Sequence, residues 1–306
     1  MKMINKKIAT LFLGIFFASA FLSALEWGGL IDDTTKISYS NETSSFFQSN
    51  GIYLWLKTPL SDDEKFTFSS EILYKYNLDI SDLKKTSDST VTNILDVDLL
   101  KLDGSWDVLN GGLSFALGRF YTSENSGVVF SQISDGLKFA FQNRFLEASV
   151  YGGYTGLLNS LNVSMTEENS NANNTQLYNL SAPFVPIFAG ISFSKVGPFS
   201  AAVQAAYFLS LLKDIENRAY ASLNLSGNLS TVGSLSFNFI LGTYTFDGLM
   251  LFSNADFSFF LGNNFILSAG AEYASGLSDD NKILSFSPVT SRSVYSGLRS
   301  IDDLSY

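Results

Sequence analysis

The chain has 306 residues, of which 46% are hydrophobic, 15% aromatic and only 16% charged, and its formal net charge is −10. It contains no histidine and no cysteine, which excludes a Ser-His-Asp triad, a cysteine nucleophile, a histidine metal site and disulfide bonds. The acidic excess gives no electrostatic basis for binding nucleic acid or anionic lipid. Soluble proteins usually carry about 25% charged residues, so the low charge favours a surface that faces lipid.

The first 24 residues have the composition of a secretory signal peptide. Lysines precede the apolar run Ile8–Phe21, and Ser23 and Ala24 provide small residues for cleavage, with Ala18–Ala20 as a second possible site. The apolar run is shorter than the about 18 residues that a membrane-spanning helix needs. We therefore predict a signal peptide at 1–24 and an exported domain at 25–306.

Alternation of apolar and polar residues predicts long β-strands in the first part of the exported domain. A slip of this alternation near Leu99 and Leu100 predicts a β-bulge, and Asn110-Gly111 predicts a tight turn. The predicted strands are Asp33–Asn41, Gly51–Thr58, Lys65–Asn77, Thr92–Asp107 and Leu113–Tyr121.

The same alternation continues to residue 274. Asp247-Gly248 and Gly262–Asn264 are typical of hairpin turns. Runs of about 12 residues exceed the usual soluble strand of about 5 or 6 and suit a tilted membrane strand of about 9 to 11 with its overhang. The predicted strands are Leu137–Gln142, Phe145–Thr155, Ile187–Lys195, Phe199–Leu211, Arg218–Leu229, a run between Gly233 and Asp247, Leu249–Leu261, and a run that ends at Ala274.

These runs predict an all-β fold: an antiparallel transmembrane up-and-down β-barrel of about 14 strands. Thirteen runs are regular, and Ile283–Tyr295 is a candidate fourteenth, although Pro288 is unfavourable inside a paired strand. No long alternating run follows. The predicted barrel therefore either closes irregularly or is incomplete at its C-terminus.

Tight turns alternate with long connections, as short periplasmic turns alternate with long external loops in outer-membrane barrels. One tyrosine falls near the end of each ascending run and phenylalanines crowd the opposite rim, which favours two aromatic girdles; a general preference of aromatic residues for strands is the alternative. The predicted tyrosine girdle is Tyr39, Tyr76, Tyr121, Tyr154, Tyr207, Tyr244 and Tyr273, and the predicted phenylalanine rim is Phe66, Phe115, Phe141, Phe145, Phe193, Phe199, Phe259 and Phe265.

The polar faces of the runs predict the lining of a water-filled pore. Because side chains of one sign select ions in a pore, the acidic excess predicts a weak cation preference. Asp96 and Asp98 resemble a glycosidase carboxylate pair, but inward charges are ordinary in a water-filled barrel, and we predict no catalytic residue, metal or cofactor. The candidate pore-lining residues are Glu71, Lys75, Asp96, Asp98, Lys138, Arg218, Asn224, Asn238, Asp256 and Glu272.

Three features leave alternatives open. Arg119 is either a lumen residue or an interfacial arginine whose charge extends to the headgroups. The segment Thr122–Asp135, with apolar residues at Val128–Phe130, either folds inward as a constriction or lies outside. The acidic clusters Asp62–Glu64 and Asp279-Asp280 are either calcium ligands or solvated turns, and neither has EF-hand spacing.

Four short motifs carry a family resemblance: Leu117–Phe120, Ser134–Leu137, Glu26–Gly29 and Phe286–Ser291. In these motifs and in its architecture the chain resembles the porin-like outer-membrane β-barrels, especially those of spirochaetes and of the alginate-export type. The resemblance implies the outer membrane of a diderm bacterium, with outer-membrane lipid, the barrel assembly machinery and small solutes or ions as partners.

The favoured function is a channel for passive diffusion of small solutes or ions. The alternative is a surface-exposed adhesin whose loops bind a partner. A soluble secreted β-sandwich fits least, because the runs are long and charge is scarce.

Overall fold

The structure is a computed structural model, and it describes ten segments of the chain. The predicted signal peptide lies outside them. Within the described segments, no helix is long and apolar enough to cross a membrane. The segments are residues 25–39, 44–61, 63–83, 89–108, 110–156, 183–229, 232–244, 248–261, 265–278 and 282–290.

The described residues form thirteen β-strands of 9 to 20 residues, longer than is usual in soluble sheets. The all-β prediction and the thirteen regular runs are confirmed. The strands are β1 Glu26–Tyr39, β2 Ser44–Pro59, β3 Phe66–Ile80, β4 Ser89–Val108, β5 Gly111–Ser123, β6 Ser131–Gln142, β7 Leu146–Tyr154, β8 Phe184–Val196, β9 Phe199–Ser210, β10 Arg218–Asn228, β11 Gly233–Tyr244, β12 Met250–Leu261 and β13 Phe265–Ala274.

The strands follow one another in a single sheet in chain order, from β1 to β13. The neighbouring strands whose register is described are antiparallel. This is the up-and-down order expected when hairpins connect consecutive strands. Asn110 has φ 60°, a left-handed conformation that asparagine tolerates, and it makes the predicted tight turn into β5. The chain divides into two compact units, Met1–Ser105 and Trp106–Tyr306, called here the N-terminal and C-terminal units.

In the N-terminal unit one face of the sheet is apolar and exposed, and the other is polar and largely covered. Leu54 of β2 pairs with Ile72 of β3, and Leu54 is 58% exposed. On the opposite face, Lys75 pairs with Ile94, which is only 3% exposed. This arrangement reverses that of a soluble protein and is typical of a sheet with lipid on one side. The two sides are called the apolar face and the polar face.

The predicted β-bulge lies in β4, immediately before the predicted position. Glu71 pairs with Leu99 while Ile72 pairs with Val97, so the register passes over Asp98. One extra residue in one strand is what defines a bulge. It explains the slip of alternation seen in the sequence.

The C-terminal unit has the same two faces. Val203 of β9 pairs with Ile191 of β8 and Leu223 of β10 on the apolar face, and both Val203 and Ile191 are exposed. Strands β5, β7, β9, β11 and β13 finish at one end of this unit, called the loop end, and they begin at the turn end. The polar face is buried and rich in aromatic residues at the loop end.

The described part of the predicted fourteenth strand, residues 283–290, is not a strand. Ile283 forms an isolated parallel bridge to Leu249, and Thr290 is a second isolated bridge residue. Pro288 has no N–H group to donate to a ladder. The fourteenth-strand prediction is therefore wrong for 283–290, and residues 291–295 lie outside the described segments.

Candidate functional site

The candidate pore-lining residues of the N-terminal unit lie on the polar face. Glu71, Leu73 and Lys75 occupy every second position of β3 and therefore lie on one face, and Asp96 of β4 pairs with Leu73. Asp96 is buried, whereas Glu71 and Lys75 are partly exposed. Charged side chains of both signs therefore line this face.

Carboxylates also surround a tyrosine on this face. Asp32, Glu71 and Asp98 all interact electrostatically with the hydroxyl of Tyr53. Asp98 therefore remains close to the polar face even though the bulge interrupts the alternation that predicted its position.

In the C-terminal unit a ladder of side-chain amides crosses the polar face. Asn224 donates to Asn238 at 2.5 Å, Asn238 donates to Asn254 at 2.7 Å, and Asn254 donates to the Asp256 carboxylate at 3.3 Å. The donors all run toward Asp256, so each amide polarises the next. The ladder therefore ends at a negative charge.

The remaining candidates of this unit lie on the same face. Glu272 pairs with Asn254, and Lys138 pairs with Tyr151. Successive pairings from β6 to β13 place both residues on one side of the sheet. Lys138 is partly exposed and Glu272 is exposed.

At the loop end the segment between β5 and β6 folds inward. This segment, residues 124–130, is called the inward loop. Phe130 is 0% exposed, and its ring centroid lies 5.6 Å from that of Phe188 and 5.4 Å from that of Phe208. Both partners belong to the polar face of β8 and β9. Residues 124–130 therefore fold inward, as the constriction alternative expects, whereas Thr122, Ser123 and 131–135 belong to the flanking strands.

A buried carboxylate organises the inward loop. Glu124 accepts backbone hydrogen bonds from Ser126 at 2.7 Å, Val128 at 2.8 Å and Val129 at 2.9 Å. A carboxylate that accepts several N–H groups is held more strongly than a neutral acceptor. Sequence reasoning missed Glu124, and the available signal was a lone acid at the start of the Glu-Asn-Ser-Gly turn.

Arg218 is the first residue of β10, at the loop end, and is only 2% exposed. Its guanidinium carbon is 5.0 Å from the centroid of the Tyr244 ring and 6.0 Å from that of Phe184. Nη1 donates to the carbonyl oxygen of Pro288 at 2.9 Å. Arg218 is therefore on the predicted face but is covered by protein.

The tyrosines predicted as a girdle lie at or near the ends of their strands. Tyr39, Tyr121 and Tyr273 are exposed, and Tyr76, Tyr154 and Tyr207 are partly exposed. Tyr244 differs, because it pairs with Arg218 on the polar face. The membrane-girdle prediction is therefore wrong for Tyr244, whose ring packs on a cation instead.

The phenylalanines of the opposite rim lie at the beginnings of odd-numbered strands or the ends of even-numbered ones, or in the adjoining turn. Phe145, Phe193, Phe259 and Phe265 are exposed. Exposed aromatic side chains at strand ends are typical of membrane interfaces.

Arg119 is buried, with 8% exposure. Its Nη2 atom lies 3.4 Å from Oδ2 of Asp135, which pairs with it across β5 and β6. Its charge is thus paired with a carboxylate of the neighbouring strand, and the register places both residues on the same face as Leu117 and Leu137, the apolar face.

The acidic turn between β2 and β3 is solvated. Asp63 accepts a hydrogen bond from Ser61 Oγ at 2.7 Å and lies 3.8 Å from Lys65 Nζ. The Ser61 hydrogen bond lowers the pKa of Asp63 below its ordinary value. Asp62, Asp279 and Asp280 lie outside the described residues, among which no group of three or more acidic, histidine or cysteine residues is placed to hold a metal ion.

Comparisons with known proteins give a likeness of fold. No protein-family model matches the chain, and no curated protein matches it. Among solved structures, the outer-membrane porin OccK5 (OpdH) of Pseudomonas aeruginosa matches with a TM-score of 0.52 and 14% identity, over 84% of this chain and 67% of that one. The chain has a porin-like β-barrel fold.

Two further matches among solved structures are weaker. OmpT, an outer membrane protein of Vibrio cholerae, matches with a TM-score of 0.37 and 8% identity, over 88% of this chain and 96% of that one. The anion-selective porin from Comamonas acidovorans matches with a TM-score of 0.38 and 11% identity, over 87% and 94%. These likenesses are too distant to carry an argument. The match to OccK5 (OpdH) alone confirms the predicted resemblance to porin-like barrels, at the level of the fold.

Proposed function

We propose that the chain forms a channel for passive diffusion of small solutes or ions across the outer membrane of a diderm bacterium. The observation that carries the proposal is the pair of opposed faces along long antiparallel strands. Exposed residues such as Leu54 and Val203 lie on one face, and charged or amide side chains lie on the other. Only a sheet with lipid on one side and water on the other gains from this arrangement.

We also propose a weak cation preference, supported by the acidic side chains that are exposed on the polar faces. On these faces Glu71, Lys75 and Lys138 are partly exposed and Asp256 and Glu272 are exposed, whereas Arg218 is buried. Acidic side chains along a pore attract cations and repel anions. The reversal potential across a planar bilayer under a potassium chloride gradient tests this preference, and a potential of the anion-selective sign contradicts it.

Liposome swelling tests the channel itself. Refolded protein in vesicles should admit small sugars faster than protein-free vesicles do, and the rate should fall steeply with solute size. Tight vesicles that contain correctly refolded protein, judged by β-type circular dichroism, contradict the proposal.

Three further parts of the proposal rest on the sequence and the fold together. The leader at 1–24 would direct export, the barrel assembly machinery would insert the strands, and the chain would belong to the spirochaete or alginate-export type of porin-like barrel. We propose no enzymatic activity. The adhesin alternative depends on long loops, and the longest, residues 157–182, lies outside the described segments.

A further inference from the structure

We propose that residues 282–290, called the strap, act as a displaceable closure of the loop end of the C-terminal unit. The inference rests on the proposed channel function. It goes beyond that function by assigning a closing element distinct from the inward loop.

The base of the strap is fixed by backbone hydrogen bonds. Leu249 donates to the carbonyl of Lys282 at 2.9 Å, and Leu284 donates to the carbonyl of Leu249 at 2.8 Å. Ser275 Oγ donates to the carbonyl of Leu284 at 2.6 Å. These contacts hold residues 282–284 beside β12.

The tip of the strap is held by side chains of β10. Tyr220 donates its hydroxyl to the carbonyl of Ser287 at 2.7 Å, and Arg218 donates to the carbonyl of Pro288 at 2.9 Å. Two successive strap carbonyls are therefore bound by two residues that lie two positions apart on the polar face. These contacts can break without opening a ladder between strands.

The tip also closes against the inward loop. The backbone N–H groups of Val289 and Thr290 both donate to the carbonyl of Val129, at 2.8 and 3.1 Å, and Ser131 N–H donates to Thr290 Oγ1 at 3.0 Å. Val289 and Thr290 are buried. Strap and inward loop together thus cover the loop end of this polar face.

Release of the tip has a predictable consequence for selectivity. Arg218 would lose the Pro288 carbonyl and become accessible on the polar face. A wider pathway with an added positive charge should pass larger solutes and prefer cations less. The two changes should therefore occur together.

A disulfide tests the closure directly, because the chain has no cysteine of its own. The double variant Val129→Cys with Val289→Cys joins the inward loop to the strap. Oxidation should lower the swelling rate for a disaccharide, and reduction should restore it. The matched control, Val203→Cys with Leu223→Cys, joins residues paired on the apolar face and should show no difference between the oxidised and reduced states.

A second variant removes one anchor and keeps Arg218. Tyr220→Phe loses the hydrogen bond to Ser287, which should shift the equilibrium toward the released strap by about fivefold. Disaccharide swelling should rise and the cation preference should fall. Swelling that depends on neither the disulfide nor Tyr220→Phe, in protein that does conduct ions, overturns the strap inference and leaves the channel intact. Vesicles that stay tight to ions for every variant contradict the channel itself.

Discussion

Apolar and polar faces alternate along the strands of both units, but the polar faces of the two units carry different types of residue. In the N-terminal unit charged side chains such as Glu71 and Lys75 are partly exposed. At the loop end of the C-terminal unit, Phe184, Phe188 and Phe208 occupy the equivalent face and are buried. The difference shows that alternation identifies the inward side of a strand, whereas the residue types on that side decide whether it faces water or packs against other segments.

The buried side chains at the loop end form an aromatic cluster. Phe208 lies within ring-contact distance of Phe130, Phe188 and Tyr220, with centroids 5.4 to 5.8 Å apart. Burying one such side chain stabilises a fold by about 1.5–3 kcal/mol, and favourable ring geometry adds about 0.5–1.5 kcal/mol per pair. The following variants test the contrast between this aromatic region and the charged polar face of the N-terminal unit.

The largest effect is expected for Phe130→Ala. Truncating a fully buried phenylalanine should lower the free energy of unfolding by about 3–5 kcal/mol, measured by urea unfolding in detergent. The control is Phe145→Ala, whose ring is exposed and whose loss should change stability by about 0.5 kcal/mol or less. Equal losses in the two variants would show that the loop end is not a packed core.

A smaller effect is expected for Glu124→Ala. Three backbone N–H groups would lose their shared acceptor, so the inward loop should become less stable by about 1–3 kcal/mol. Hydrogen exchange at residues 126–129 reports this change, and Glu124→Gln should retain part of the protection. The control Glu26→Ala removes an exposed acid. Unchanged exchange in Glu124→Ala would mean that packing alone holds the loop.

Much of the fold could be predicted from the sequence because a lipid-facing sheet needs strict alternation. All thirteen strands and the bulge at Asp98 follow from period-two patterns, and the Asn110 turn follows from its Asn-Gly dipeptide. The candidate site was predicted less completely. Alternation within one strand predicts which face Asn238 or Asp256 occupies. It does not predict that Arg218 is covered, because the covering residue, Pro288, is distant in sequence.

Particular residues explain both errors. Tyr244 ends its strand as a girdle residue should, but it lies six positions from Asn238 and therefore on the same polar face, where it pairs with Arg218. Residues 283–290 have the composition of a strand, but Pro288 and the contacts with Val129 hold them as a strap.

Removing a single charge from the polar face of the N-terminal unit should change the ion selectivity modestly. Glu71→Gln should reduce the cation preference in a potassium chloride gradient, because one partly exposed carboxylate is lost. The isosteric control is Gln48→Glu, which adds an acid on the apolar face, where Gln48 pairs with Leu78. A shift from Gln48→Glu as large as that from Glu71→Gln would contradict the assignment of faces.

The smallest effect is expected at the acidic turn. Because the pKa of Asp63 is lowered in the folded state, its hydrogen bond with Ser61 stabilises the fold above the ordinary carboxyl pKa and ceases to do so as the pH falls through the lowered value. Ser61→Ala should therefore raise the pKa of Asp63 toward its ordinary range, measured by NMR titration. An unchanged titration would show that Ser61 is not the cause.

Reactivity of three consecutive positions on β11 tests the central claim, that water contacts one face of the sheet and lipid the other. Single variants Phe237→Cys, Asn238→Cys and Phe239→Cys would be labelled in vesicles with a membrane-impermeant maleimide and, separately, with a lipid-soluble one. We predict that the impermeant reagent labels only Asn238→Cys and that the lipid-soluble reagent favours the two flanking positions. Equal labelling of all three by the impermeant reagent would contradict the account.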